Sequence, residues 1–183
     1  LVNRIYPTQG LLTYVKNIFL VFLGTILLAI SSKIQVPFWP VPMTMQTFVV
    51  FLIGMTYSVR LSFLTLLTYL AEGAFGLPVF AAGGGIAYLV GPTAGYLYGM
   101  LVAAIVISYL AGKGFGVSYI KTTLTLLLGS IIIFSFGIFY LGSLIGFEKA
   151  FQAGLIPFIP SEIFKIALAV SIIPTVYNYI RLK

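Results

Sequence analysis

VKNIFLVFLGTILLAISS (15–32) is the stretch whose reading decides the class of fold. Lys16 is its only charge, and no other appears until Lys33 closes it. A helix needs roughly 20 apolar residues to cross the hydrocarbon core of a bilayer, with about 17–25 as the working range. This run meets that length, and it is too long and too poorly followed by small residues to read as a cleaved signal peptide. The rest of the chain has the same character. Of 183 residues 61% are hydrophobic and 7% charged, with a mean hydropathy of +1.15, whereas a soluble domain carries about 25% charged residues. So few charges cannot cover a water-facing surface, so most of this surface faces lipid.

Working outward from segment one, five more apolar runs read as helices at 43–57, 61–76, 92–111, 120–144 and 161–179. The expected fold is an all-α integral membrane protein, a six-helix bundle formed by one domain over 1–183. With the N-terminus inside, Arg4, Lys16, Arg60, Lys113, Lys121, Arg181 and Lys183 fall on the cytoplasmic side. Lys33 and Lys149 fall outside. That bias satisfies the positive-inside rule, so both termini are predicted cytoplasmic. The net charge of +7 is thereby assigned to loops rather than to nucleic-acid binding.

Absent residue types exclude whole chemistries. The chain has no Cys, His or Asp, which removes thiolate and imidazole metal sites and the Ser-His-Asp arrangement. The Gly112-Lys113 pair is followed by Gly114 and lacks the upstream glycine of a phosphate-binding loop. No cofactor or metal is expected.

Two connections on the outer side are apolar where a solvated loop would be polar. In IQVPFWPVPMTMQ (34–46), Pro37, Pro40 and Pro42 forbid helix and impose a stiff extended turn. Phe38 and Trp39 inside it are either interfacial anchors or part of a lid over a ligand. Gln46 is either a helix-to-helix hydrogen-bonding group or a neutral ligand contact. In GLPVFAAGGGIAYLVGP (76–92), Gly83, Gly84 and Gly85 allow close approach to their backbone, and their amides are candidate donors to an oxygen. Thr93 lies at the positive end of the fourth helix. Tyr88 and Tyr96 are amphipathic enough to reach a cavity. Gly91, Gly95, Gly99 and Ala103 form a small-residue stripe suited to helix packing. Irregular backbone at membrane depth is tolerated where protein buries it or it lines a cavity, so an outward-facing cavity capped by both loops is expected.

The acidic residues are Glu72, Glu148 and Glu162. Glu72, near the outer end of the third helix, reads as interfacial in preference to ligand-binding. Glu162 in PFIPSEIFK (157–165) precedes Lys165 by three residues, which puts both on one helix face. An ammonium at mid-bilayer costs about 2.5–3.5 kcal/mol, while an exposed ion pair returns about 0–1 kcal/mol. Stability alone does not explain the placement. A cavity-facing pair would match a neutral head carrying both N–H and C=O groups, such as a cyclic urea.

QVPFWPVPMTMQTFVVFLIG, GLPVFAAGGGIAYLVGPTAGYLYG and PFIPSEIFKIALA, in this order and spacing, resemble the BioY family across all six predicted helices. These are the biotin-specific substrate-binding (S) components of energy-coupling-factor (ECF) vitamin transporters. The resemblance implies a multi-pass protein of a prokaryotic cytoplasmic membrane. It would bind biotin from outside beneath a lid formed by the loop between helices one and two. A transmembrane T component and two ATPases would supply energy, and the S component would catalyse no reaction. Glu162 and Lys165 would face the ureido ring, where the family more often has Asp in place of Glu. Gly83–Gly85, Thr93 and Tyr96 would lie near the valerate chain or its carboxylate, with no arginine beside them. Thr25-x-x-x-Ala29, next to Gly24, stands where many S components carry an Ala-x-x-x-Ala face for the T component. The rival readings are an S component for a different vitamin, a membrane enzyme using Glu162 and Lys165 as acid and base, and an assembly subunit without a ligand.

Overall fold

The structure is a computed structural model that describes residues 10–181. Arg4 and Lys183 lie outside the described residues. In chain order the elements are α1 (Leu11–Lys33), the paired strands β1 (Gln35–Val36) and β2 (Met43–Thr44), α2 (Gln46–Thr56), α3 (Val59–Ala74), α4 (Ala94–Gly112), α5 (Tyr119–Ile145), the short α6 (Phe147–Gly154) and α7 (Ile159–Arg181). Single 3₁₀ turns occupy Ile86–Val90, Phe115–Val117 and Ile156–Phe158. The all-helical expectation holds, and each of the six expected segments is a helix. Four stretches are long and apolar enough to cross a membrane: α1, α4, α5 and the run from α6 through α7.

α2 and α3 are shorter than a span. At 1.5 Å per residue, the 11 residues of α2 reach about 16 Å and the 16 of α3 about 24 Å, against a hydrocarbon core of about 30 Å. Both are short at the same end of the bundle, and irregular chain fills the missing depth. Before α2 stands the β1–β2 hairpin, with Gln35 opposite Thr44 and Val36 opposite Met43. After α3 comes the 75–93 connection, which turns back on itself through a Phe80–Gly83 bridge. The hairpin strands are too short for alternation to show in sequence, which is why only an extended turn was expected there.

α4 is the central helix, with 11 of its 19 residues buried against 5 of 23 in α1. It packs on α2, α3 and α5. Its contact with α5 depends on the small-residue stripe. A Cβ on Gly99 would lie 2.8 Å from the Ile133 Cα, and one on Gly95 would lie 2.5 Å from the Phe136 carbonyl oxygen. Backbone cannot yield as a side chain can, so glycine sets the approach of the two helices. Gly137 of α5 reciprocates by accepting the ring of Tyr96.

α1 is peripheral and is attached by polar hooks. Gly24 packs on Thr65, Thr25 donates to Glu72 Oε1 at 3.1 Å, and Ser32 donates to the Val79 carbonyl at 2.8 Å. Two expectations change here. Glu72 is half-buried and bonded to α1 rather than only interfacial. Gly24 and Thr25 are buried against α3, so they do not form an outward docking face. The helix α6 was not foreseen. It is anchored by Phe147, whose ring lies over Gly142.

Replacing Gly99 by leucine forces α4 off α5. Overpacking of this kind costs about 1–3 kcal/mol. A lowered melting temperature in detergent is expected, whereas Gly112→Ala, with nothing within 4 Å of the added carbon, should leave it unchanged.

Candidate functional site

Pro157 lies in the 3₁₀ turn that leads into α7, and Pro160 occupies the helix's first turn. Proline is tolerated there because the first amides of a helix have no intrahelical partner. Glu162 falls in that same first turn, where the helix dipole favours a carboxylate. Lys165 follows one turn deeper. Both are buried, at 5% and 2% exposure, and Lys165 Nζ lies 3.2 Å from Glu162 Oε2.

Two more helices complete the cluster. Thr47 of α2 donates to Glu162 Oε2 at 3.0 Å, and Lys165 Nζ donates to Thr47 Oγ1 at 3.0 Å. Ser130 of α5 donates to Glu162 Oε1 at 2.9 Å. Both carboxylate oxygens are therefore engaged, and the cluster sums to no net charge. A buried ion pair is tolerable only with such additional hydrogen bonds.

A second polar chain joins the hairpin to the bundle. Thr44 Oγ1 donates to Gln46 Oε1 at 3.0 Å, Gln46 Nε2 donates to the Tyr69 hydroxyl at 2.7 Å, and that hydroxyl donates to the Val79 carbonyl at 2.9 Å. Gln46 thus makes a helix-to-helix bond and also lines an internal cavity. That cavity measures about 40 Å³ and is bordered by Gln46, Thr47, Tyr88, Thr93 and Tyr96, among others. On the other side of the cluster, Glu162 and Ser130 border a lateral groove of about 530 Å³ between α5, α6 and α7, walled by Phe134, Phe151 and Ile163. The ion pair stands between a small chamber and an open apolar groove.

Of the residues singled out in sequence, Gln46, Tyr88, Thr93 and Tyr96 come together around the chamber, with Glu162 and Lys165 behind Thr47. Tyr88 stacks on Phe80 at 4.9 Å, and the Tyr96 hydroxyl donates to the Gly154 carbonyl at 2.8 Å. Phe38 touches Phe158 at 6.4 Å, and Phe158 in turn stacks on Tyr96 and meets Phe134 edge-on. Trp39 is 87% exposed and stands apart. The Gly83 amide donates to the Phe80 carbonyl at 3.2 Å and the Gly85 amide to the Gly73 carbonyl at 2.7 Å. A Cβ on Gly84 would lie 2.1 Å from the Leu77 carbonyl oxygen, so the close approach this glycine permits is made by its own loop.

Thr47, Ser130 and Tyr69 were not singled out in sequence. Thr47 was legible as the neighbour of Gln46 in the proline-rich block. Ser130 is one of six serine and threonine hydroxyls along α5, so nothing in the sequence set it apart from Ser135 or Thr125.

A helical membrane protein with one buried, charge-neutral polar cluster beside a cavity, beneath folded loops, is a small-molecule-binding type of architecture. The comparisons narrow the class. A model of the BioY family matches residues 6–182, and the chain belongs to that family. It is 38% identical over 180 residues to "Probable biotin transporter BioY" of Rickettsia prowazekii, covering 98% of this chain and 90% of the relative. It is 42% identical over 159 residues to the protein of the same name from Pyrococcus horikoshii, covering 86% and 93%, and 37% identical over 147 residues to "Biotin transporter BioY" of Thermotoga maritima, covering 79% and 86%. Among solved structures, the crystal structure of "the S-component for biotin from an ECF-type ABC transporter" superposes with a TM-score of 0.80 over 93% of this chain and 95% of that one, at 24% identity. The fold is shared.

Thr47→Val removes one acceptor from Lys165 and one donor from Glu162 without changing shape. Leaving a buried polar group unsatisfied costs about 1–3 kcal/mol, more for charged groups. Thermal unfolding in detergent should show that loss, with Thr123→Val, a substitution at a half-buried site away from the cluster, as the unaffected control.

Proposed function

We propose that this chain binds biotin from the outer face of a prokaryotic cytoplasmic membrane and mediates its uptake as the S component of an ECF transporter. Energy comes from a separate T component and ATPases, and the ligand is passed on unchanged. The whole of 1–183 acts as one six-helix domain with both termini cytoplasmic. The orientation is supported by Lys16, Arg60, Lys113 and Lys121 at one end of the helices against Lys33 and Lys149 at the other.

The observation that carries this reading is the buried Glu162–Lys165 pair with Thr47 and Ser130. A cyclic urea presents two N–H donors and one carbonyl acceptor on one edge. Glu162 would accept from N–H and Lys165 would donate to the carbonyl. The thioether ring and aliphatic chain would lie against aromatic walls. The longer reach of Glu compared with Asp is accommodated by Ser130, which holds the second carboxylate oxygen.

A chamber of about 40 Å³ is far below the roughly 300–1,000 Å³ of ordinary ligand pockets. On this reading the chamber must widen to admit a ligand. Binding requires the Phe38–Phe158–Tyr96 contacts to part, which makes the hairpin a lid. The ureido group would replace bonds that Thr47 and Lys165 now make with Glu162, so recognition is an exchange of partners within the cluster. Gln46, Tyr88, Thr93 and the Gly83–Gly85 loop would line the path of the tail.

Calorimetry of the purified chain with biotin tests the proposal. Hydrogen bonds to charged groups contribute about 1.5–3 kcal/mol each, so Glu162→Gln and Lys165→Met should each raise Kd about 10- to 100-fold, with the protein still monodisperse. Trp39→Ala should change Kd less than about threefold. Tight binding of another vitamin in competition, with no heat from biotin, would overturn the ligand assignment and keep the architecture.

A further inference from the structure

We infer that the groove between α1 and α3, at the end of the bundle opposite the ion pair, is a binding site for one anionic phospholipid. The proposal does not depend on biotin being the ligand.

α1 and α3 start at the same membrane surface and are pinned together above it, by Gly24 against Thr65 and by the Thr25–Glu72 hydrogen bond. Toward their N-termini they leave a groove of about 330 Å³ between them. Its walls are mostly apolar, with Val21, Phe22 and Leu64, the Thr68 hydroxyl stands at its deep end, and its mouth is polar, with Tyr14, Asn17, Ser58 and Arg60. From Arg60 to Thr68, the deepest lining residue of α3, eight residues of helix rise about 12 Å. A largely apolar slot of that length, ending in donors at its mouth, fits the upper part of one acyl chain below a headgroup. Phe22 is 53% exposed and Ile18 58%, so this face is covered by something apolar.

Charge selects the occupant. The three glutamates of the chain, Glu72, Glu148 and Glu162, all lie at the opposite end, and no carboxylate among the described residues pairs with Arg60. Lys113 and Lys121, on the same side of the bundle, rest over the rings of Tyr109 and Phe115; among the described residues no ring is stacked on Arg60 in this way. The Ser58 hydroxyl caps α3 by accepting from the Leu61 amide, which leaves its proton available to a phosphate oxygen. A guanidinium beside a hydroxyl and a carboxamide suits a phosphodiester, which guanidinium binds through paired hydrogen bonds. Basic pockets between membrane helices recognise anionic headgroups on these terms, with about 1 kcal/mol per cation.

The test is native mass spectrometry of the full chain released from mixed micelles holding equal phosphatidylglycerol and phosphatidylcholine. One phosphatidylglycerol should be retained about fivefold over phosphatidylcholine. Arg60→Gln should abolish that preference, and Lys121→Gln should preserve it. Leu64→Trp, which fills the slot and keeps the charge, should reduce retention of both lipids. Equal retention of the two lipids would overturn the proposal. So would an equal effect of Lys121→Gln, which would mean diffuse surface charge, or displacement of the lipid by a partner's helix cross-linked at Ile18, which would mean that the groove serves protein docking. Ligand binding at the other end should be unchanged by Arg60→Gln, so its failure would be separable from failure of this site.

Discussion

A carboxylate and an ammonium withdrawn together into an apolar bundle impose a constraint that much of the rest of this fold serves. Each charge alone would cost several kcal/mol in such surroundings. Their mutual attraction is not enough, because one contact at 3.2 Å leaves lone pairs and protons over. Thr47 from α2 and Ser130 from α5 take up two of those positions. The pair on α7 is therefore met by two other helices, and the three helices are held in register by polar bonds as well as by packing. A shift of any one by a turn would strand a charge.

That register requires the central helices to sit close. Gly95 and Gly99 let α4 approach the backbone of α5, which brings Ser130 within reach of α7 while α4 fills the middle. The shortness of α2 places Thr47 at its first turn, directly below the hairpin. The same shortness, shared by α3, opens the space that the hairpin and the 75–93 connection fill. Polar cluster, truncated helices and folded loops are thus one arrangement. Helices of full length would have carried apolar side chains through the place where the chamber lies.

Much of this was legible in the sequence because membrane insertion enforces strong patterns. Length and hydropathy located six of the seven helices, and the rarity of charge made Glu162 and Lys165 conspicuous. The stripe of Gly95 and Gly99 announced a close crossing without naming the partner. What did not read was of two kinds. Short elements, such as the two-residue strands and α6, carry too few residues for any period to emerge. Partnerships at long range also stayed hidden, since a threonine in α2 and a serine in α5 have no sequence relation to a glutamate in α7. The glycines of 83–85 illustrate the ambiguity of a signal that says only that something comes near. Here that something includes the loop's own carbonyl of Leu77.

The closed cluster also bears on how a ligand of this site could be both tightly held and releasable. On the proposed reading, with both oxygens of Glu162 already bonded, an incoming urea would gain little from the number of hydrogen bonds formed. Its advantage would come from exchanging the Thr47 and Lys165 partners of Glu162 for N–H groups fixed in one ring, and from apolar surface covered by Phe38, Phe158 and Tyr96. The first term is local to α2 and α7. The second depends on the hairpin, which is joined through Thr44, Gln46 and Tyr69 to α3 and the opposite loop. A force that displaced α3 or the hairpin would remove the apolar contribution first and leave the polar cluster able to close again on Thr47. Release would then not require a charge to be left bare in the membrane, because the protein carries the replacement partner in place.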